Sequence, residues 1–380
     1  MMYGEANEAA VPVVPRVPWR TILVTLVATR LLIALVGVLA YAWFEKGPHF
    51  HPKASAWSLF RNWDANWYLD LVQNGYFHTA TKSNVVIFPL YPGLMKLLTL
   101  AGVGAEVSGY LVSNLALLGA CAFLWRIAWL ETGSAGTATR AVQVLLLGPV
   151  SFFFSIVYSE SLFLLGATGA LYAARTRSWL AAGLWGAVAA HTRSIGFALV
   201  VPLLWEYLRV HGLIPLLRTP RRWIGLAACL LPLAGTALYL GYMMIKFGDP
   251  LVYFAAQEHW SRKFSYFGSL FARISFVGLS LFYKVWFTSA VLGSFALLLL
   301  GVGVRLRDTY LIFGLTFCFI YISSHSVEAF PRYASVVFPF YLVVALALKR
   351  APVLTIPVLA LSTALLVFST TLFVAGYWFT

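Results

Sequence analysis

The chain reads as an all-α integral membrane protein, and three observations lead there. Apolar residues make up 61% of its 380 positions, while only 11% are charged. Several apolar runs continue long enough to cross the ~30 Å hydrocarbon core of a bilayer as helices. The runs are unbroken rather than alternating and rich in Leu and Ala, which argues against an outer-membrane barrel. In hydrocarbon the backbone must satisfy itself, and a helix does so within one segment. The formal charge of +14 would suit an acidic partner, but the cations gather in short connections between apolar runs, as membrane topology requires. No nucleic-acid partner is therefore expected.

The first twenty residues, with Pro12, Pro15 and Pro18, read as a flexible cytoplasmic tail. Arg16 and Arg20 precede an apolar run near 21 to 44 that lacks a small-residue cleavage site, so it is read as a retained span. Further spans are expected near 107 to 130, 139 to 157, 159 to 176, 179 to 191, 195 to 210 and 223 to 246. The last four are expected near 277 to 304, 308 to 324, 334 to 349 and 352 to 378. Basic clusters at Arg175/Arg177, Arg209 to Arg222, Arg305/Arg307 and Lys349/Arg350 assign those connections to the cytoplasm. The result is one polytopic domain, 1–380, of about eleven spans with its carboxyl terminus outside. The segment Ile87 to Val103 is interrupted by Pro89, Pro92 and Gly93. It is expected to be an interfacial or re-entrant helix rather than a span. Two long exoplasmic loops remain, 45–104 and 247–276, and long loops in compact proteins tend to be functional. There is no internal repeat.

Only thirteen carboxylates exist, and this topology puts eight outside: Glu45, Asp64, Asp70, Glu106, Glu160, Asp249, Glu258 and Glu328. Acid–base chemistry has to draw on these. In RNWDANWYLDLVQNGY, from Arg61 to Tyr76, an Asn62 cap would start a helix at Trp63. Asp64, Trp67, Tyr68 and Leu71 would then share one face, with Asp70 roughly 120° away. The alternative is that Asp64 only complements the helix macrodipole while the tryptophans anchor the helix at the interface. Tyr158, Ser159, Glu160 and Ser161 form a polar tetrad between apolar spans. Ser159 is expected to cap the next helix, with Glu160 at its positive end facing a shared cavity.

His191, Thr192 and Arg193 lie at the outer end of a tight hairpin. A guanidinium there suits a lipid phosphate; pairing with Glu160 or snorkelling would explain it as well. Arg332 and Tyr333, after Glu328 and Pro331, pose the same choice, and His259, Trp260, Arg262 and Lys263 read as a general interfacial stretch. His49 and His51 are the close histidine pair, without a ligand spacing around them, so no metal is expected. Cys121, Cys229 and Cys318 sit in apolar runs and read as small hydrophobes. With no P-loop or dinucleotide fingerprint, no nucleotide or other cofactor is expected.

WDANWY followed by NGY, then FPLYP, FFFSIVYSES, HTRSIG and PRYASVVFP stand in an order that resembles the GPI mannosyltransferase 2 (PIG-V) family over most of the chain. The resemblance implies the GT-C class of polytopic glycosyltransferases, which take a polyprenyl (dolichyl-type) phosphate mannose donor on the lumenal or periplasmic face. The acceptor would be a membrane-associated lipid or glycan. By this resemblance Asp64 falls on the family's first-loop acid, and Glu160, Arg193 and Arg332 fall on its other polar motifs. The expected mechanism is a single displacement with Asp64 as base, inverting a β-linked donor to an α-mannoside. Arg193 and Arg332 would meet the donor phosphate. Trp63, Trp67, Tyr68, Asp70, Tyr158, Glu160, His191 and Tyr333 would surround the substrates. The chain departs from eukaryotic members in its compactness, its short second external loop and the absence of an organelle-retention signal, which speaks against a GPI precursor as acceptor and for a prokaryotic plasma-membrane enzyme. With Asp64 and Asp70 six apart it has no strict D-x-D pair, which speaks against a divalent-ion requirement. The rival readings are a lipid-linked sugar transporter or flippase, a GT-C enzyme with another lipid-phosphate sugar, and a non-catalytic GT-C relative. A transporter would be expected to carry inverted repeats.

Overall fold

The computed structural model describes residues 14–45, 52–53, 55–213, 219–257, 280–323 and 329–377. His49, His51, Glu258, His259, Trp260, Arg262, Lys263 and Glu328 lie outside them. Among the described residues the architecture is helical, with one isolated antiparallel bridge between His78 and Ser83. The first half holds α1 (Trp19–Trp43), α2 (Asp64–Asn74), α3 (Leu90–Leu100), α4 (Ala105–Thr132), α5 (Ala135–Leu146), α6 (Glu160–Arg175), α7 (Trp179–Thr192) and α8 (Val200–His211). The second holds α9 (Arg221–Cys229), α10 (Leu231–Phe247), α11 (Val252–Gln257), α12 (Leu281–Gly303), α13 (Asp308–Ser323), α14 (Phe330–Ser335), α15 (Pro339–Arg350) and α16 (Thr355–Val374).

Four of these helices, α1, α4, α12 and α16 with its leading turn, are long and apolar enough to cross a membrane; α9 and α10, bent by 48°, make a fifth if they form one span. Pro232 near the start of α10 accounts for the bend, because it cannot continue the hydrogen-bond ladder of α9. The remaining long helices run 12 to 16 residues, or ~18–24 Å. Four expected spans are interrupted, among them 223–246 at the α9–α10 bend and 195–210 where the 3₁₀ helix Ser194–Leu199 passes into α8. Gly148 and Pro149 follow the end of α5 at Leu146, leaving 147–159 irregular apart from one turn of 3₁₀ helix. Pro339 restarts the chain after α14, so 334–349 is not one helix. The Pro-interrupted segment after Ile87 yields the eleven-residue α3, too short to cross.

The buried helix α6 is the centre of the molecule, with nearly every residue covered by α4 and α7. Small residues permit this approach: a Cβ on Gly166 would stand 2.8 Å from the Ala189 nitrogen of α7. At one end of the bundle Arg175 pairs with Glu131 at 2.6 Å, Arg307 with Glu206 at 2.5 Å and Arg209 with Asp308 at 3.2 Å. At the other end of α6 is Glu160, together with most of the candidate residues.

Candidate active site

Local backbone at Asp64 is set by an unusual turn. Trp63 has φ 53° and ψ −120°, a corner that glycine favours, and Ala65 N–H donates to the Asn62 carbonyl at 3.2 Å to close it. Holding a tryptophan there costs on the order of 1–3 kcal/mol, so the surroundings must over-determine it. They do so through Asn62. Its side-chain amide donates to the Phe373 carbonyl at the end of α16 (2.8 Å), its Oδ1 accepts from Lys53 (2.7 Å), and its carbonyl accepts from the Tyr158 hydroxyl (3.1 Å). Asn62 is thus an anchor between helices, not the expected cap, and α2 begins at Asp64 instead of Trp63.

The second strand of the site is the irregular connection 147–159. Irregular backbone inside a membrane protein needs a partner for each carbonyl, and side chains supply them here. Ser362 donates to Leu147 (2.8 Å), Arg30 to Leu146 (3.0 Å) and Ser151 (3.1 Å), Ser161 to Phe154 (2.5 Å), Asn114 to Ser155 (3.0 Å) and Ser113 to Ile156 (2.7 Å). The chain can therefore stay unwound up to Ser159, which delivers Glu160 at the positive end of α6. Ser159 occupies the cap position without capping. Its hydroxyl is shared by the Tyr68 hydroxyl at 2.7 Å and Arg193 Nη1 at 3.2 Å.

Arg193 comes from the reversal after α7. That reversal is tight, since a Cβ on Gly196 would stand 2.4 Å from the Ala190 backbone, so only glycine lets the chain double back here. Arg332 comes from α14. Its Nη1 donates to Asp64 Oδ2 at 2.7 Å and its Nε lies 3.3 Å from Glu160 Oε1, while Arg193 Nη1 donates to the same Glu160 oxygen at 2.5 Å. Two carboxylates and two guanidiniums form one charge-balanced chain, Asp64–Arg332–Glu160–Arg193. Glu160 is fully buried and Arg332 only 6% exposed, while Asp64 keeps 27% of its side chain accessible. Glu160 Oε2 is buried and meets no hydrogen-bond partner among the described residues. Arg332 also lies over the rings of Tyr158 and Tyr333, at 5.3 and 5.1 Å. Burial opposes its charge, but Asp64, Tyr333 and Glu160 more than offset that and hold its pKa above the ordinary value. Burial, with Glu160 nearby, pushes the Tyr68 phenol up to about 12.

These groups open on a cavity of 70 Å³ lined by Asp64, Tyr68, Ser159, Arg193, Arg332 and Tyr333, with Val86 to Phe88 forming its apolar wall. Of the residues singled out in the sequence, Asp64, Tyr68, Tyr158, Glu160, Arg193, Arg332 and Tyr333 are brought together. Others lie apart. Asp70 accepts from Asn74 at 2.7 Å on the far face of α2, Trp67 packs near Phe77, and His191 turns its Nδ1 to the Gly235 carbonyl of α10 at 2.9 Å. Trp63 lines a separate polar cleft of 490 Å³ together with Lys53 and Arg61. Asn62 and Ser159, expected as helix caps, instead organise the site through other contacts, and Arg30 was not singled out in the sequence. The available signal was Arg30 itself, a cation within an apolar run. Among the described residues no three metal-ligating side chains gather at one point.

Residues 52–246, just over half of the chain, match the family described as Mannosyltransferase (PIG-V). No curated protein matches the chain. Among solved structures, ArnT from Cupriavidus metallidurans bound to undecaprenyl phosphate aligns with a TM-score of 0.52 at 15% identity, over 92% of this chain and 76% of that one. At that identity the likeness speaks to the fold alone. Asp64, Glu160 and Arg193 all lie within the matched region, and the chain belongs to the PIG-V mannosyltransferase family as a multi-pass membrane glycosyltransferase.

Proposed function

We propose that the protein transfers mannose from a polyprenyl phosphate mannose donor to a membrane-associated lipid or glycan acceptor, on the exoplasmic face of a prokaryotic plasma membrane. The undecaprenyl phosphate bound to ArnT in its crystal structure supports a lipid partner of this class. The single observation that carries the chemistry is the Asp64–Arg332–Glu160–Arg193 chain at the edge of a small cavity. The short helices α5 to α8, α13 and α15, with their irregular extensions, would complete about eleven crossings. On this topology the part of the first exoplasmic loop that carries Asp64, Tyr68 and Val86 to Phe88 would form the roof of the site.

In the proposed step the acceptor oxygen attacks the anomeric carbon, its proton passes to an Asp64 oxygen, and the carbon–oxygen bond to phosphate breaks with its electron pair leaving on the phosphate. Single displacement inverts a β-linked donor to an α-mannoside. A positioned base is worth about 10²- to 10⁴-fold, and cations at the leaving oxygen stabilise charge that grows in the transition state. Charge balance adds an ordering. Arg332 holds Asp64 Oδ2 in the resting protein, so that oxygen is occupied until another anion takes the guanidinium. A donor phosphodiester is such an anion. It brings one negative charge to a balanced cluster, which favours proton uptake by Asp64. Donor would therefore bind before acceptor deprotonation, with Glu160 keeping Arg332 and Arg193 in place throughout. Tyr68, Tyr158 and Tyr333 would flank the sugar and the phosphate.

The test is transfer of radiolabelled mannose from polyprenyl phosphate mannose into membrane lipid extract, with wild-type protein and Asp64→Asn in parallel. Label with wild type and a loss of at least about 10²-fold in the variant is expected. Full turnover by Asp64→Asn would remove it as base, and absence of label with wild type would turn the reading to another donor sugar or to transport.

A further inference from the structure

We infer that Arg30, within the first membrane span, is a positioning residue that sets the Glu160 end of the site from below. Arg30 lies eleven residues after Trp19, ~17 Å along α1, where a charge is costly unless it faces protein. It has five donors, and five neutral oxygens meet them. Nε donates to Thr29 Oγ1 (3.3 Å), Nη1 to the Ser151 carbonyl (3.1 Å) and Ser155 Oγ (2.7 Å), and Nη2 to the Leu146 carbonyl (3.0 Å) and Ser151 Oγ (3.3 Å). The fork thus caps the negative end of α5 in trans and binds Ser151, the first residue of the 3₁₀ turn that follows, and Ser155, the residue that caps its end.

The turn carries the site. Phe153, inside it, lies beneath Arg332, with the guanidinium carbon 5.9 Å from the ring centre, and four residues beyond Ser155 come Ser159 and then Glu160. A fixed Ser151–Ser155 turn therefore fixes both the floor under Arg332 and the entry angle of Glu160. A lysine could not reproduce this, having three donors on one nitrogen instead of a planar fork. Small misplacement of reacting groups costs up to about 10²-fold in rate. The inference rests on the proposed transferase reading for its kinetic arm only.

Arg30→Lys keeps a cation in the span and is the primary test, with Ser155→Ala as a milder variant that leaves Arg30 in place. In purified protein in detergent, hydrogen exchange is expected to accelerate in peptides covering 147–160 and 330–335, with the remaining helices unchanged. In the transfer assay, kcat is expected to fall about tenfold or more while KM for the donor lipid stays within about twofold, the pattern of disturbed orientation. Ser155→Ala should give a smaller effect, and the double variant less than the sum. Unchanged exchange in 147–160 overturns the inference, as does faster exchange or a lower melting temperature with unchanged kcat, which would make Arg30 purely structural. Wild-type protein without transfer would count against the mannosyl reading instead. The exchange arm would then decide alone, since loosening of 147–160 without 330–335 breaks the link to Arg332.

Discussion

At Glu160 one carboxylate oxygen serves two guanidiniums, Arg193 at 2.5 Å and Arg332 at 3.3 Å, in full burial. Removing one member of such a group strands the others, which costs about 3–5 kcal/mol. Glu160→Gln is therefore expected to lower the thermal stability of the purified protein strongly and to reduce transfer, even though the amide is nearly isosteric; an unshifted melting curve would contradict the buried network. Tyr68 gives a prediction in pH. Its phenol is raised to about 12 by burial against about 10 in an unfolded chain. The favoured species is the neutral one, so the contribution is complete below pH 10 and is lost as pH rises through 12. Over that interval about 2–3 kcal/mol should disappear, and Tyr68→Phe should flatten the fall of melting temperature between those pH values. Arg193 illustrates what a sequence leaves open at this scale. Its chemistry allowed either a phosphate or Glu160 as partner, and only the approach of the α7 reversal to the start of α6 identifies the resting partner as Glu160.

The elements that build the site are interruptions, and interruptions are what hydropathy reads least well. The run from 139 to 157 looks continuous because Gly148 and Pro149 are apolar, yet they end α5 and leave a stretch whose carbonyls are met by side chains from α1, α4, α6 and α16. Apart from Ser161 those partners are distant in sequence, from Arg30 to Ser362, so no local pattern announces them. Asn62 misled for a related reason. Asn before a helix reads as a cap, whereas its Oδ1, the atom that would cap, accepts from Lys53, and its amide donates to the Phe373 carbonyl more than three hundred residues away. Motif order was the stronger guide, since HTRSIG contains both Arg193 and the glycine that turns the chain. Gly196→Ala would force a Cβ to within 2.4 Å of the Ala190 backbone. Such overpacking costs about 1–3 kcal/mol, and the strain falls on the turn that presents Arg193. Loss of transfer accompanied by a lowered melting temperature is expected from this one methyl group; wild-type behaviour in both would show that the reversal has slack.

Across the whole molecule charge is sorted by end. Glu131, Glu206 and Asp308 pair with Arg175, Arg307 and Arg209 near one end of α4, α6, α8 and α13, while Asp64, Arg193 and Arg332, from α2, the α7 reversal and α14, gather around Glu160 at the opposite end of α6. The first group follows from composition alone, because Lys and Arg mark the connections on one side of a membrane. The second follows from it only by elimination. If the basic connections face the cytoplasm, the loop that carries Asp64 faces outward, and a lipid-linked donor must present its sugar there. The prediction can be read directly with thiol chemistry, because Cys121, Cys229 and Cys318 are all buried and give a silent background. Ala80→Cys, on an exposed position beyond α2, should react with a membrane-impermeant maleimide in intact cells. Ala135→Cys, exposed beside the start of α5 at the basic end, should react only after the membrane is opened. Labelling in the reverse pattern would place the Asp64 cluster on the cytoplasmic side, where the donor would have to be presented from within the cell, and the exoplasmic reading would fall while the cluster's geometry stood.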